Sequence, residues 1–203
     1  MAGETPSGGN STRFVETSRG ILSYSQLAPL LAERVLRVEQ QVSSGAFAHH
    51  RLGGDLICDL HLRIASDLVP EWAGRWRTSE VIVGEHSPPP PYQVALRMRD
   101  FGHDLEARFD TAFELESENL LESLAFAEGR LLSIHPFFDF NGRVTRLFLK
   151  EIIRRQGLPP VRLVPEGPEA EARYISALRA GDSGNWKPLV EVWKSRFEAG
   201  LGK

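Results

Sequence analysis

In HPFFDFNGRVTR, residues 135–146, an imidazole, a carboxylate, an amide and two guanidinium groups crowd around a single Asn-Gly turn signal. Apolar residues flank this stretch at helical spacing. Upstream, Leu120, Leu121, Leu124, Ala127, Leu131 and Leu132 give a broad apolar face over about residues 118–134. Downstream, Val144, Leu147, Phe148, Ile152 and Ile153 continue the pattern until Gly157 and the Leu-Pro-Pro that follows. The pattern predicts a helix, a tight turn and a second helix that lies in the core.

A helix beginning just after Asn141-Gly142 points its unpaired N–H groups and positive dipole end at the turn, which makes an anion site. Arg143 and Arg146 are three apart, about 60° around a helix axis, and can converge on one anion. Guanidinium forks suit phosphate oxygens. Asp139, just before the turn, suits Mg²⁺, which takes one or two carboxylates and completes its shell with phosphate oxygens and water. His135 then stands beside the anion with a titratable nitrogen. Singly, these residues read as a turn histidine and a capping aspartate. Jointly they describe transfer of a phosphorus group to a hydroxyl: His135 takes the proton, while metal, arginines and helix N-terminus stabilise charge on the phosphate.

The rest of the chain supplies the frame. Its 203 residues, 41% hydrophobic and 25% charged with a formal net charge of -3, predict one soluble globular domain. With 24 basic against 27 acidic residues there is no basic footprint for phosphate backbones, so no DNA partner is expected. Cys58 is the single cysteine, which excludes a disulfide framework and a CxxC metal site and points to a reducing compartment. No secretory signal opens the sequence and no segment reaches about eighteen apolar residues, so the expected location is cytoplasmic, without a membrane partner. Delivery into another cell by a specialised secretion system would leave no such mark.

Residues 1–13, rich in Gly, Ser, Thr and Asn, read as a disordered tail, and 14–203 as the single domain. Further helices are predicted over about residues 25–42, 55–68, 92–109, 168–180 and 187–199. Between the second and third of all the helices, Val81, Ile82 and Val83 give a short strand signal, Gly84 permits a turn, and Pro88–Pro91 forbid helix or central strand. That segment reads as a short hairpin or extended flap, and the fold class as all-α, mainly helical. His61 reads as a packing or capping residue, and Trp72 and Trp76 as wedges at the junction between helix and flap.

These residues resemble the Fic (Fic/Doc) family motif, His-x-Phe-x-Asp/Glu-Gly-Asn-Gly-Arg-x-x-Arg. His135, Phe137, Asp139, Asn141, Gly142, Arg143 and Arg146 fill its fixed positions, and Phe140 stands where the first Gly usually sits. Outside the motif, LHLRIASDLVPEWAGRWR (residues 60–77) is similar to the helix and Trp-Ala-Gly-x-x-Arg stretch of many Fic domains. VIVGEHSPPPPYQV (81–94) is similar to their target-docking flap, and YISALRAGDSGNWKPLVEVW (174–193) to their closing helices, so the likeness spans about residues 55–195. The resemblance implies a Fic-fold helical bundle with one small β-hairpin flap. It also implies the commonest family activity, transfer of AMP from Mg-ATP to a Ser, Thr or Tyr hydroxyl of a target protein with release of pyrophosphate.

Carried over by position, His135 would be the general base and Asp139 the Mg²⁺ ligand. Asn141 would position the α-phosphate, the Gly142 backbone would line the anion hole, and Arg143 and Arg146 would grip the outer phosphates. The flap residues Val81, Ile82, Val83 and Gly84 would clamp the target by main-chain pairing. Two alternatives stay open: a phosphoryl, uridylyl or phosphocholine transfer on the same scaffold, and a catalytically impaired nucleotide-binding or protein-binding module.

Phe140 is the departure from the motif. Gly at such a site permits positive φ and close backbone approach, whereas Phe resists positive φ and adds bulk. Either the ring enters the helical core and the loop keeps its shape, or the nucleotide pose shifts, or phosphate binding is lost. The first is favoured, because one strained residue costs only about 1–3 kcal/mol. Family members are often held inactive by a Ser/Thr-x-x-x-Glu-Gly/Asn helix whose Glu pairs with the second motif arginine, here Arg146. That pattern is absent at Glu118, Glu128 and Glu166, and SRFEAG (195–200) is a near miss. An antitoxin-like inhibitor acting in trans is the expected substitute.

Overall fold

The computed structural model describes residues 14–110 and 118–201. The tail read at residues 1–13 lies outside the described residues. A short antiparallel hairpin, β1 (Phe14–Thr17) and β2 (Gly20–Ser23), opens the domain. Seven helices follow among the described residues: α1 (Tyr24–Ser43), α2 (Gly54–Ala65), α3 (Pro91–Asp110), α4 (Glu118–Ile134), α5 (Asn141–Arg155), α6 (Pro168–Asp182) and α7 (Lys187–Leu201). The mainly helical class and every predicted helix are present.

The α5 helix is the centre of the bundle, packed against α1, α2 and α4. Leu147, Phe148, Leu149 and Ile152 are fully buried on it, each contributing roughly 1.5–3 kcal/mol of transfer free energy. Its one interior carboxylate, Glu151, is also fully buried and accepts bonds from Arg154 and Arg155 at 2.7–2.9 Å. Arg155 in turn donates to the carbonyls of Phe47 and His50, which ties the α1–α2 connection to the end of α5.

The α1 helix runs parallel to α5. Tyr24 bonds Arg143 at one end, and Glu39 pairs with Lys150 at 2.6 Å further along. Both helices therefore start at the same end of the molecule. The start of α1 is fixed by a capping box in which the Ser23 side chain accepts from the Gln26 amide and Gln26 accepts from the Ser23 amide.

Among the described residues, the one two-stranded ladder lies outside the flap, at a place where the sequence reading expected no strands. The paired strands are β1 and β2, while the expected flap hairpin at Val81–Gly84 reduces to one bridge, Val83 to His86, around Gly84 at φ +60°. The prolines are the physical reason. Pro88–Pro91 lack the N–H donors that a returning strand needs, and Pro91 instead opens α3, where the missing N–H costs nothing.

Candidate active site

The motif sits between α4 and α5, and its loop is held by its own side chains. The Asn141 amide closes a clasp: its Oδ1 accepts from the Phe137 amide and its Nδ2 donates to the Phe137 carbonyl, both at 2.9 Å. Asp139 turns its Oδ1 onto the Phe140 amide at 2.7 Å. Phe140 then adopts the left-handed conformation, φ +64° and ψ +11°, and caps α5, receiving the first helical bonds from the amides of Arg143 and Val144. The amides of Asn141 and Gly142 stand ahead of that ladder, at the positive end of the dipole.

Phe140 thus takes the backbone shape that Gly takes readily. Left-handed geometry costs an L-residue roughly 1–2 kcal/mol, and full burial of the ring against Trp72 at 5.3 Å and His61 at 6.1 Å offsets it. The ring points into the core.

His135 also has positive φ, +49°. Its Nδ1 faces the Leu132 carbonyl at 3.3 Å. A carbonyl only accepts, so Nδ1 carries a proton. His135 and Asp139 are buried, while Gly142, Arg143 and Arg146 form a half-buried lip.

The two arginines both lie at the helix start. Arg143 donates to the Tyr24 hydroxyl at 2.8 Å, with its guanidinium carbon 5.5 Å from the Tyr24 ring centre. Arg146 crosses Gly142, where a Cβ would lie 3.4 Å from its Nη1. It also reaches the field of Tyr174 on α6, whose pKa burial and then the neighbouring Glu128 push well above the usual value. Tyr174 stays a donor to Glu128 at 2.7 Å, and Glu128 is bound at both oxygens by Arg196 of α7.

A sequence profile of the Fic/DOC family matches residues 52–153, half of the chain. The chain belongs to the Fic/DOC family. Protein adenylyltransferase fic-1 of Caenorhabditis briggsae is 33% identical over 153 residues, covering 75% of this chain and 29% of the relative. The chain therefore spans less than a third of that relative's length. The solved structure of Fic-1 from Caenorhabditis elegans is 29% identical and superposes with a TM-score of 0.64 over 84% of this chain and 48% of its own. BepC of Bartonella tribocorum, 17% identical, shares the fold over 93% and 94% of the two chains, with a TM-score of 0.68.

Within this Fic domain, the largest addition to the sequence reading is His61. It does pack, fully buried and stacked on Phe137 at 3.9 Å between ring centres, but it also bridges. Its Nδ1 accepts from the Gly74 amide at 2.8 Å, so the proton sits on Nε2, which faces the Asp139 carbonyl at 3.3 Å. A histidine on the apolar stripe of α2 gives no sign of this in sequence, because both partners are main-chain groups in distant loops. Trp72 and Trp76 wedge as expected, Trp76 lying 5.0 Å from Phe137 and Trp72 5.5 Å from Phe138.

Asp139 suits a metal that arrives with its own ligands. Among the described residues no three His, Cys, Asp or Glu side chains gather as a metal cage. A single carboxylate with one oxygen fixed by an amide matches Mg²⁺, which keeps waters and takes phosphate oxygens.

Two outcomes follow from this geometry. Burial pushes the His61 imidazole down to about 4 from 6.5, against a smaller opposing effect of the Asp139 carbonyl. Between those values the unfolded chain binds the extra proton, so stability is full above pH 6.5 and falls by roughly 3 kcal/mol as pH drops to 4. Urea unfolding of the metal-free protein at successive pH values should show that slope, and His61→Gln should flatten it. Phe140→Gly relieves the backbone strain but removes a buried ring, and should cost about 2–3 kcal/mol net. Calorimetry with an ATP analogue should find nucleotide affinity changed less than about threefold; a large gain would mean that the ring obstructs the loop.

Proposed function

We propose that this Fic domain is a protein adenylyltransferase, moving AMP from Mg-ATP to a Ser, Thr or Tyr hydroxyl of a target protein. The observation that carries the reading is His135: buried, with its Nδ1 facing the Leu132 carbonyl, in the loop that leads into the α5 N-terminus and its two arginines. The names of the relatives, protein adenylyltransferases of similar sequence over most of this chain, support it.

In this reading the acceptor oxygen attacks the α-phosphorus of ATP while His135 Nε2 takes its proton. The bond from the α-phosphorus to the bridging oxygen breaks, and pyrophosphate leaves. The amides of Asn141 and Gly142 face the α-phosphate, and Arg143 and Arg146 hold the outer phosphates from the α1 and α6 sides. Asn141 acts through the loop, because its amide is occupied by Phe137 on both sides. Asp139 would hold Mg²⁺, which when bound draws charge from the phosphates. Val81, Ile82, Val83 and Gly84 would pair with the target main chain.

Restraint by an antitoxin-like protein in trans belongs to the same reading. Of the glutamates that precede Gly or Asn, Glu128 is engaged by Arg196 and Tyr174. A cytoplasmic setting suits the single unpaired Cys58, whose thiol burial and then Asp55 push up to about 12. No helix among the described residues is long and apolar enough to cross a membrane.

The test uses ATP labelled at the α- or γ-phosphate, incubated with the protein and a lysate of its source cell. Label should enter protein from the α-position only, and His135→Ala should lower it by about 10²-fold or more. Label from the γ-position alone would assign a phosphoryl transfer instead. Label unaffected by His135→Ala would overturn the assignment of the base.

A further inference from the structure

The segment between the tryptophan turn and α3 is gathered on one side chain. Arg77 is 4% exposed, and its main-chain amide donates to the Pro136 carbonyl at 2.8 Å. Its guanidinium donates only to carbonyls in the bonds described: Nε to His135 at 2.8 Å, Nη1 to Ser79 at 3.1 Å, and Nη2 to Pro89 and, at 3.4 Å, to Ile134. Ser79 and Pro89 are the two roots of the flap. Ile134 and His135 are the end of α4 and the residue assigned above as the base.

One cation thus joins three things. It draws in the carbonyl of a residue at φ +49°, which supports that uncommon backbone shape. It closes the flap loop at both ends. It sets the distance between them, because a planar fork of five donors cannot slide relative to the carbonyls that it grips. The far side of the flap is tied separately, by His86 Nε2 to the Ser133 carbonyl at 2.9 Å and by Glu85 to Arg179 at 2.6 Å. None of the Arg77 partners belongs to the α5 N-terminus.

We propose that Arg77 is a positioning residue that sets the spacing between His135 and the flap, and so governs how the acceptor hydroxyl, as distinct from the nucleotide, meets the base. This rests on the assignment of His135 as base and of the flap as target dock. Lysine is a poor substitute: its ammonium is a compact point charge on a flexible stem and cannot span four carbonyls on two loops.

The experiment compares the full chain with Arg77→Lys in three measurements. Binding of a nonhydrolysable ATP analogue with Mg²⁺ should change by less than about threefold, since the helix N-terminus is untouched. Label transferred to lysate protein from α-labelled ATP, at saturating ATP, should fall by about tenfold or more, as expected when a reacting group is displaced on the ångström scale. Amide exchange at Val83 and His86 should accelerate by about tenfold as the flap opens locally.

Unchanged labelling with unchanged exchange would overturn the proposal. Parallel loss of analogue binding and labelling would also overturn it, by showing that Arg77 merely holds the fold. Absence of α-label with the unaltered protein would instead sink the adenylyltransferase reading, and the exchange arm would still decide whether Arg77 fixes the flap. Should Arg77→Lys lose its cooperative melt, the unaltered protein provides the test by NMR. The Arg77 Nε–H and the amides of Val83 and His86 should exchange at a common rate; flap amides faster by more than about tenfold would contradict the coupling.

Discussion

The clasp between the Asn141 amide and the Phe137 main chain is the contact on which the rest of the site depends. Two bonds of 2.9 Å from one side chain close the loop on itself before any ligand arrives. Their closure forces a sharp reversal, and the chain meets it by placing Phe140 in the left-handed region and starting α5 there. The direction of the Asn141 and Gly142 amides follows from that reversal. A net hydrogen bond contributes about 1 kcal/mol, so neither bond alone holds a strained loop. The clasp works because the Phe140 and Phe137 rings are buried beneath it.

Two braces reach this loop from outside it. His61 of α2 joins the Gly74 amide to the Asp139 carbonyl, and Arg77, three residues beyond Gly74, joins the flap roots to the His135 carbonyl. Each holds one motif residue by its main-chain carbonyl. The tryptophan turn takes part in both braces, through the Gly74 amide and Arg77, which gives its aromatic residues a purpose beyond filling space. Trp72 and Trp76 lie against Phe138, Phe140 and Phe137 and fix the turn to the loop.

The helices were legible because their apolar residues recur with the helical period over about three turns or more, as on α4 and α5. The place of the motif between α4 and α5 was legible because its residues lie within one short stretch, 135–146. The hairpin β1–β2 was not: four-residue strands carry too few alternations to stand out, and only Ser23 and Gln26 mark where α1 begins. The flap, read as a short hairpin or an extended segment, is extended with one bridge, because the prolines deny Val81, Ile82 and Val83 a longer ladder. The arginines show a further limit. Helical spacing places Arg143 and Arg146 about 60° apart, yet long side chains follow local partners, here the Tyr24 hydroxyl and the space over Gly142. His61 was invisible as a bridge because its partners are backbone groups that only the fold brings together.

The central claim is that the loop is already formed to receive phosphate at the start of α5. A crystal structure with Mg²⁺ and a nonhydrolysable ATP analogue tests it directly. The α-phosphate should lie against the amides of Asn141 and Gly142 with His135 beside it, and the Asn141 to Phe137 bonds and the left-handed Phe140 should be retained. Phosphates bound elsewhere, or a loop that breaks the Asn141 clasp to admit them, would contradict the account.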